Sequence, residues 1–169
     1  SDLIDIAVRD MDYVFHLAAN PSVALSVQNP LDSNSHNLQS TLCLLDACKR
    51  EHIKKVVLSS TSAVYGNHEG FNSEYQPVNP KTPYALQKYA SERYGFMYDE
   101  YHQVPFVALR YFNVFGPRQS PSSPYSGVIS KFIDSAINNK PVTIFGDGCQ
   151  CRDFTYVSDI VDANIWAME

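Results

Sequence analysis

The sequence predicts an α/β fold built on a doubly wound parallel sheet, and three observations predict it. Short apolar runs of strand length alternate along the chain with longer segments of helical period. The runs are continuously apolar, as strands covered on both faces are. Small or polar residues follow three of them, where an open parallel sheet meets a ligand crevice: Ala18-Ala19, Ser59-Ser60-Thr61 and Phe112-Asn113.

Taken in order, residues 13–17 (YVFHL) read as a buried strand. Residues 33–51 read as a helix whose face carries Leu38, Leu42, Leu45 and Ala47. A second strand occupies 55–59, and a loop rich in Gly, Asn and Pro covers 66–83. A long helix follows over 84–102, then a third buried strand over 105–111. Beyond a Pro/Ser-rich loop at 116–124, the pattern gives a helix over 128–138, a short strand over 142–145 and a helix over 158–168.

At 169 residues the chain is long enough for one core, and 44% hydrophobic content suits a globular domain. The net charge of -5 and the lack of a basic cluster argue against nucleic acid as a partner. No apolar run approaches the roughly 20 residues of a membrane span. The first residues, Ser1 to Asp5, lack the basic and apolar order of a secretory signal. Cys43 and Cys48 fall in an apolar helical stretch, and Cys149-Gln150-Cys151 is too closely spaced for a zinc knuckle. Structural, reduced cysteines and a cytoplasmic location are expected, with no metal site.

The segment Tyr84-Ala85-Leu86-Gln87-Lys88 places a phenol and an ammonium four residues apart on one helix face. A nearby ammonium favours the phenolate, so Tyr84 is a candidate acid/base. Bringing a tyrosine from a pKa of about 10 to about 7 takes roughly 4 kcal/mol, more than one lysine ordinarily supplies. The spacing alone also occurs by chance. Upstream, Ser59-Ser60-Thr61-Ser62-Ala63-Val64-Tyr65-Gly66 places hydroxyls at a strand end, able to bind the oxygen that Tyr84 would protonate or deprotonate. The order of strand, hydroxyl cluster and Tyr-x-x-x-Lys helix is far more restrictive than either motif alone.

With these segments the chain resembles the extended short-chain dehydrogenases, and in particular the NAD-dependent epimerase/dehydratase family and its UDP-glucose and UDP-N-acetylglucosamine 4-epimerases. The matching pieces run in the family's order: His16-Leu17-Ala18-Ala19, Asn37, residues 59–66, residues 84–88, Arg110-Tyr111-Phe112-Asn113-Val114-Phe115-Gly116-Pro117 and Arg152-Asp153-Phe154. The resemblance implies a partial Rossmann-like sheet over about 1–115 and the start of a C-terminal substrate-binding region over about 116–169. It makes the chain an internal fragment, with weak cofactor binding and little turnover by itself. The glycine-rich loop and the acidic ribose contact of the family lie outside this sequence, so the choice of NAD over NADP comes from the family.

By position, the resemblance assigns catalysis to Thr61, Tyr84 and Lys88. It puts NAD against Ala18, Ala19, Asn37, Ser59, Ser60, Tyr84, Lys88, Tyr111 and Phe112. A UDP-sugar would meet Thr61, Ser62, Tyr84 and Asn113, with Arg152 on its phosphates through a guanidinium fork. Lys88 would orient the nicotinamide ribose and lower the tyrosine pKa. His16, although beside the cofactor, would be structural. The reaction implied is removal of a proton from a sugar hydroxyl by Tyr84, hydride transfer to NAD, rotation of the keto sugar and return of hydride to its other face. Related dehydratases and decarboxylases carry an acid just after the catalytic hydroxyl. Ser62 and Ala63 stand there in this chain, which favours epimerisation. The loop at 118–125 resembles that of UDP-N-acetylhexosamine epimerases. UDP-glucose/UDP-galactose exchange, a nucleotide-sugar reductase and a noncatalytic fragment are the alternatives. A homodimer through the Tyr84 helix and the helix before it is also implied.

Overall fold

The computed structural model describes residues 2–67, 70–123 and 127–169, in two compact units. His68 and Glu69 of the loop at 66–83, and the 124–125 end of the loop at 118–125, lie outside the described residues. Of the described residues, the first unit holds 2–111 and 164–169, and the second holds those within 112–163.

The first unit is built on a three-stranded parallel sheet in the order β1-β2-β3: Tyr13–His16, Lys55–Thr61 and Phe106–Tyr111. Helices α1 (Asp2–Val8), α2 (Val23–Gln28), α3 (Pro30–Asn34), α4 (Ser40–Arg50) and α5 (Pro83–His102) belong to the same unit. Even-numbered strand residues share one face, because side chains alternate along a strand. On that face Val14, Val56, Leu58, Phe106 and Ala108 pack with Val8 of α1 and with Leu45, Ala47 and Cys48 of α4. Toward the strand carboxyl ends the same face turns polar, with His16, Ser60 and Arg110. On the odd face Tyr13 and Phe15 stay well exposed.

The helix expected over 33–51 is longer and is not uniform. Pro30 opens α3 at its first turn, a wide π turn spans Ser35–Gln39, and α4 continues to Arg50. The buried ridge is therefore Ser33, Asn37, Thr41, Leu45 and Cys48, and the expected Leu38 and Leu42 are only half-buried. The wide turn spaces the ridge at four-residue steps and points polar side chains inward at its start.

Helix α5 begins where its sequence provides a cap. The Thr82 side chain accepts from the Ala85 amide at 3.2 Å, and Pro83 occupies the first turn. A second hydroxyl, Ser26 Oγ of α2, accepts from the Tyr84 amide at 3.1 Å and fixes the helix start. The helix ends at Gln103 in a left-handed conformation. Gly95 lets the Phe106 ring lie on the helix backbone, because a Cβ there would stand 2.1 Å from that ring.

In the second unit a two-stranded parallel sheet joins β4 (Asn113–Phe115) to β5 (Phe154–Tyr156). It is accompanied by α6 (Val128–Ile137) and by α7 (Val157–Met168), whose end from Asn164 belongs to the first unit. The strand expected at 142–145 does not form. Among the described residues no strand pairs with it, and Val142, Ile144 and Phe145 stay exposed. A strand exists only where a neighbour takes up its backbone hydrogen bonds. Among the described residues no helix is long and apolar enough to cross a membrane.

Candidate active site

Because the three strands of the first unit are parallel, their carboxyl ends lie along one sheet edge. That edge carries Ala18 and Ala19 after β1, Ser59, Ser60 and Thr61 as the last residues of β2, and Tyr111 closing β3. Ser60 and Thr61, expected just beyond the second strand, are thus inside it, because β2 is held in register with β3 as far as Thr61↔Tyr111.

Thr61 also opens a 3-10 turn, Ser62–Tyr65, and its Oγ1 accepts from the Ala63 amide at 3.2 Å. The Thr61 side chain is within hydrogen-bonding reach of the Tyr84 phenol. Burial raises the Tyr84 pKa, and this hydrogen bond works against it. The lysine expected to lower that pKa is not its counterweight here. Lys88 faces Glu92 and His16 electrostatically, and the opposing influence on Tyr84 is the hydrogen bond from Thr61.

Lys88 is only 3% exposed. Removal from water pulls its pKa down to about 8, with Glu92 one turn along opposing the fall. Among the described residues no acceptor is hydrogen-bonded to its ammonium. His16 ends β1 on the same face. Its Nε2 lies 2.9 Å from Thr41 Oγ1, which itself donates to the Asn37 carbonyl at 2.6 Å. The hydroxyl proton is committed, so the imidazole donates from Nε2. Burial first, then the charge of Lys88, lowers the His16 pKa to about 4.

Asn37 and Ser60, both expected at the cofactor, have their polar groups engaged inside the protein. The Asn37 carboxamide accepts from the Asn20 amide at 2.8 Å and donates to the Asn20 carbonyl at 3.1 Å and to Gln87 Oε1 at 2.9 Å. It thereby clamps the loop after β1, which carries Ala18 and Ala19, to α5. Ser60 Oγ donates to Glu92. The Glu92 carboxylate also receives Arg110, through Nη2 at 2.8 Å and Nε at 3.1 Å. Glu92 escaped the sequence reading, although its place two turns after Tyr84 on the Lys88 face was a usable signal. Tyr111 Oη donates to the Asn164 carboxamide at 2.8 Å.

Phe112, Asn113 and Arg152 belong to the second unit. The β4–β5 register sets Asn113 opposite Phe154, and Asn113 Nδ2 donates to the Asp153 carbonyl at 3.0 Å. Arg152 is exposed, with Nη1 on the Cys151 carbonyl at 2.7 Å. An open groove of about 500 Å³ in this unit, between Phe115, Ile133 and Tyr156, is apolar and holds none of the expected site residues.

Comparison with known proteins matches residues 1–169 to the NAD dependent epimerase/dehydratase family. A UDP-N-acetylglucosamine 4-epimerase from Methanobrevibacter ruminantium M1, solved with UDP-N-acetylmuramic acid, is 48% identical with a TM-score of 0.93, over 98% of this chain and 54% of that one. The UDP-glucose 4-epimerase of Thermotoga maritima, solved with UDP-glucose, is 37% identical with a TM-score of 0.94, over 99% and 56%. A UDP-glucuronic acid 4-epimerase from Bacillus cereus, solved with UDP-glucuronic acid and NAD, is 38% identical with a TM-score of 0.87, over 98% and 52%. The chain spans about half the length of the relatives it matches. The sheet is parallel and Rossmann-like and the family model matches over the whole length, so the chain belongs to the NAD dependent epimerase/dehydratase family.

Proposed function

We propose that this chain carries the catalytic core of an NAD-dependent nucleotide-sugar 4-epimerase, acting on UDP-N-acetylglucosamine and UDP-N-acetylgalactosamine. The observation that carries it is the Thr61 hydroxyl within reach of the Tyr84 phenol, with the Lys88 ammonium buried one turn along the helix. The residues present fit the cofactor. An ammonium at the tip of a largely buried lysine suits ribose hydroxyls, and two alanines after β1 leave room for a flat ligand along the sheet edge. Bound NAD would supply a reversible hydride acceptor.

The protein's own part is acid/base and positional. Tyr84 takes the proton of the sugar hydroxyl and later returns it, while Thr61 holds the same oxygen. Lys88 provides positive charge near the phenolate that forms. Ser62 and Ala63, where an acid would serve elimination, leave the keto sugar to be reduced back. Asn113 and Arg152 would hold the diphosphate. The 48% identity to a UDP-N-acetylglucosamine 4-epimerase supports the N-acetyl sugar. The UDP-glucose and UDP-glucuronic acid relatives make those sugars the competitors. Leu86, Tyr94, Met97 and Tyr101 form an exposed stripe on α5, which supports a homodimer through that helix.

The test is NMR of UDP-N-acetylglucosamine with the full-length, NAD-loaded protein beside Tyr84→Phe. The expected result is UDP-N-acetylgalactosamine without net NADH change, lost in the variant. Turnover of UDP-glucose alone moves the substrate assignment, and net consumption of NADH makes the protein a reductase.

A further inference from the structure

The polar cluster beneath the site is organised around Glu92, which is 1% exposed. Ser60 and Arg110 face each other in the β2–β3 register, on the sheet face that α5 covers, and both donate to this one carboxylate. Ser60 immediately precedes Thr61, and Arg110 immediately precedes Tyr111. The Arg110 guanidinium also lies over the Tyr65 ring, 5.0 Å from its centroid, at the far end of the 3-10 turn that Thr61 opens. One side chain of α5 is thus tied to both ends of the segment bearing the candidate catalytic hydroxyl. On its own helix, Glu92 stands one turn beyond the buried Lys88.

Stability alone does not select this arrangement. Arg110 Nη1 is buried with no acceptor among the described residues, and an apolar pair in the same space is often as stable as a buried ion pair.

We propose that Glu92 is a positioning residue for the reaction: by receiving Ser60 and Arg110 it locks β2 and β3 to α5, and it sets a carboxylate one turn beyond the buried Lys88. This rests on the epimerase function proposed above. The groups facing Lys88 and Glu92 are His16 from β1, Ser60 from β2 and Arg110 from β3, with Tyr65 of the turn against the Arg110 guanidinium. His16 is neutral and Arg110 is paired, so Glu92 is the anion of the set. Its carboxylate opposes the downward pull of burial on Lys88.

The test uses the full-length protein with 13C-labelled lysine, the Lys88 signal being assigned through Lys88→Arg. Glu92→Gln should move the Lys88 titration down by about one pH unit. With NAD bound, it should lower kcat about 10- to 100-fold, with KM for the UDP-sugar within about twofold, and make the pH–rate profile depart from that of the parent protein. Because Glu92→Gln leaves Arg110 without a counter-ion, the double variant Glu92→Met/Arg110→Met removes both charges and serves as the folded control. It should share the low kcat, with a smaller displacement of the Lys88 titration because an anion and a cation leave together. A folded variant of either kind with the parent's titration and profile overturns the proposal. If the titration moves while the parent protein epimerises no UDP-sugar, the charge role of Glu92 is supported and the epimerase function is what fails.

Discussion

Replacing Lys88 with methionine should abolish turnover and at the same time stabilise the fold. Methionine keeps an unbranched stem of similar reach and removes the charge. Burial draws the lysine from its usual 10.5 down to about 8. At about 1.4 kcal/mol per pH unit, carrying this proton in the folded state opposes folding by about 3 kcal/mol at pH 7. Between pH 8 and pH 10.5 the unfolded chain still holds the proton that the folded chain has lost, so the parent protein gains stability as pH rises through that window. The variant has no such gain. Urea unfolding of both proteins at pH 7, 9 and 10.5 reads the difference, with NAD removed because a ligand of the folded state adds its own stabilisation. The variant should lead by about 3 kcal/mol at pH 7 and lose that lead by pH 10.5. A lead that does not change with pH, or a variant weaker at pH 7, refutes the reasoning.

Two further substitutions probe the same core. His16 has its pKa lowered from 6.5 to about 4, so the parent protein should lose stability as pH falls from 6.5 to 4, by about 3 kcal/mol over the window. His16→Gln should flatten that loss in urea midpoints measured at pH 4.5 and 7, and equal slopes would count against a neutral buried imidazole. Gly95→Ala should destabilise by about 1–3 kcal/mol because its Cβ meets the Phe106 ring, whereas helix propensity alone predicts a gain. Thermal unfolding distinguishes the two signs, and Phe106→Leu in the same chain should recover part of the loss.

Much of this was legible because it depends on short-range spacing. A four-residue step on a helix puts Tyr84 and Lys88 on one face wherever the helix lies, and an apolar run ending in hydroxyls marks β2 and its edge. What was not legible depends on register. That Ser60 stands beside Arg110, and that both meet Glu92, follows from how β2 pairs with β3 and from the rotation of α5 over them. Asn37 and Thr41 face inward because a wide π turn breaks the regular period, which a 3.6-residue pattern does not show. The run at 142–145 has strand composition without a partner among the described residues, while β4 and β5, three residues each, are too short to leave a pattern.

The polar end of this interior explains why the site tolerates an unfavourable lysine. Lys88 and Arg110 are positive, Glu92 is negative and His16 is neutral, so one positive charge is left over beneath the sheet edge. In water such an excess would be screened, but in a buried setting it favours any anion that forms nearby. Burial by itself makes a Tyr84 phenolate harder to form. Keeping Lys88 charged is therefore a cost to the fold carried at the edge where the site lies, while the hydrogen bond from Thr61 eases the Tyr84 ionisation, as expected where function is held against stability. His16 has a part in this balance. A protonated imidazole would displace charge from Lys88, and a carboxylate in its place would neutralise the excess. On this account His16→Asp should be more harmful to turnover than His16→Gln even where both proteins fold, and equal kcat values in the two folded variants would contradict it.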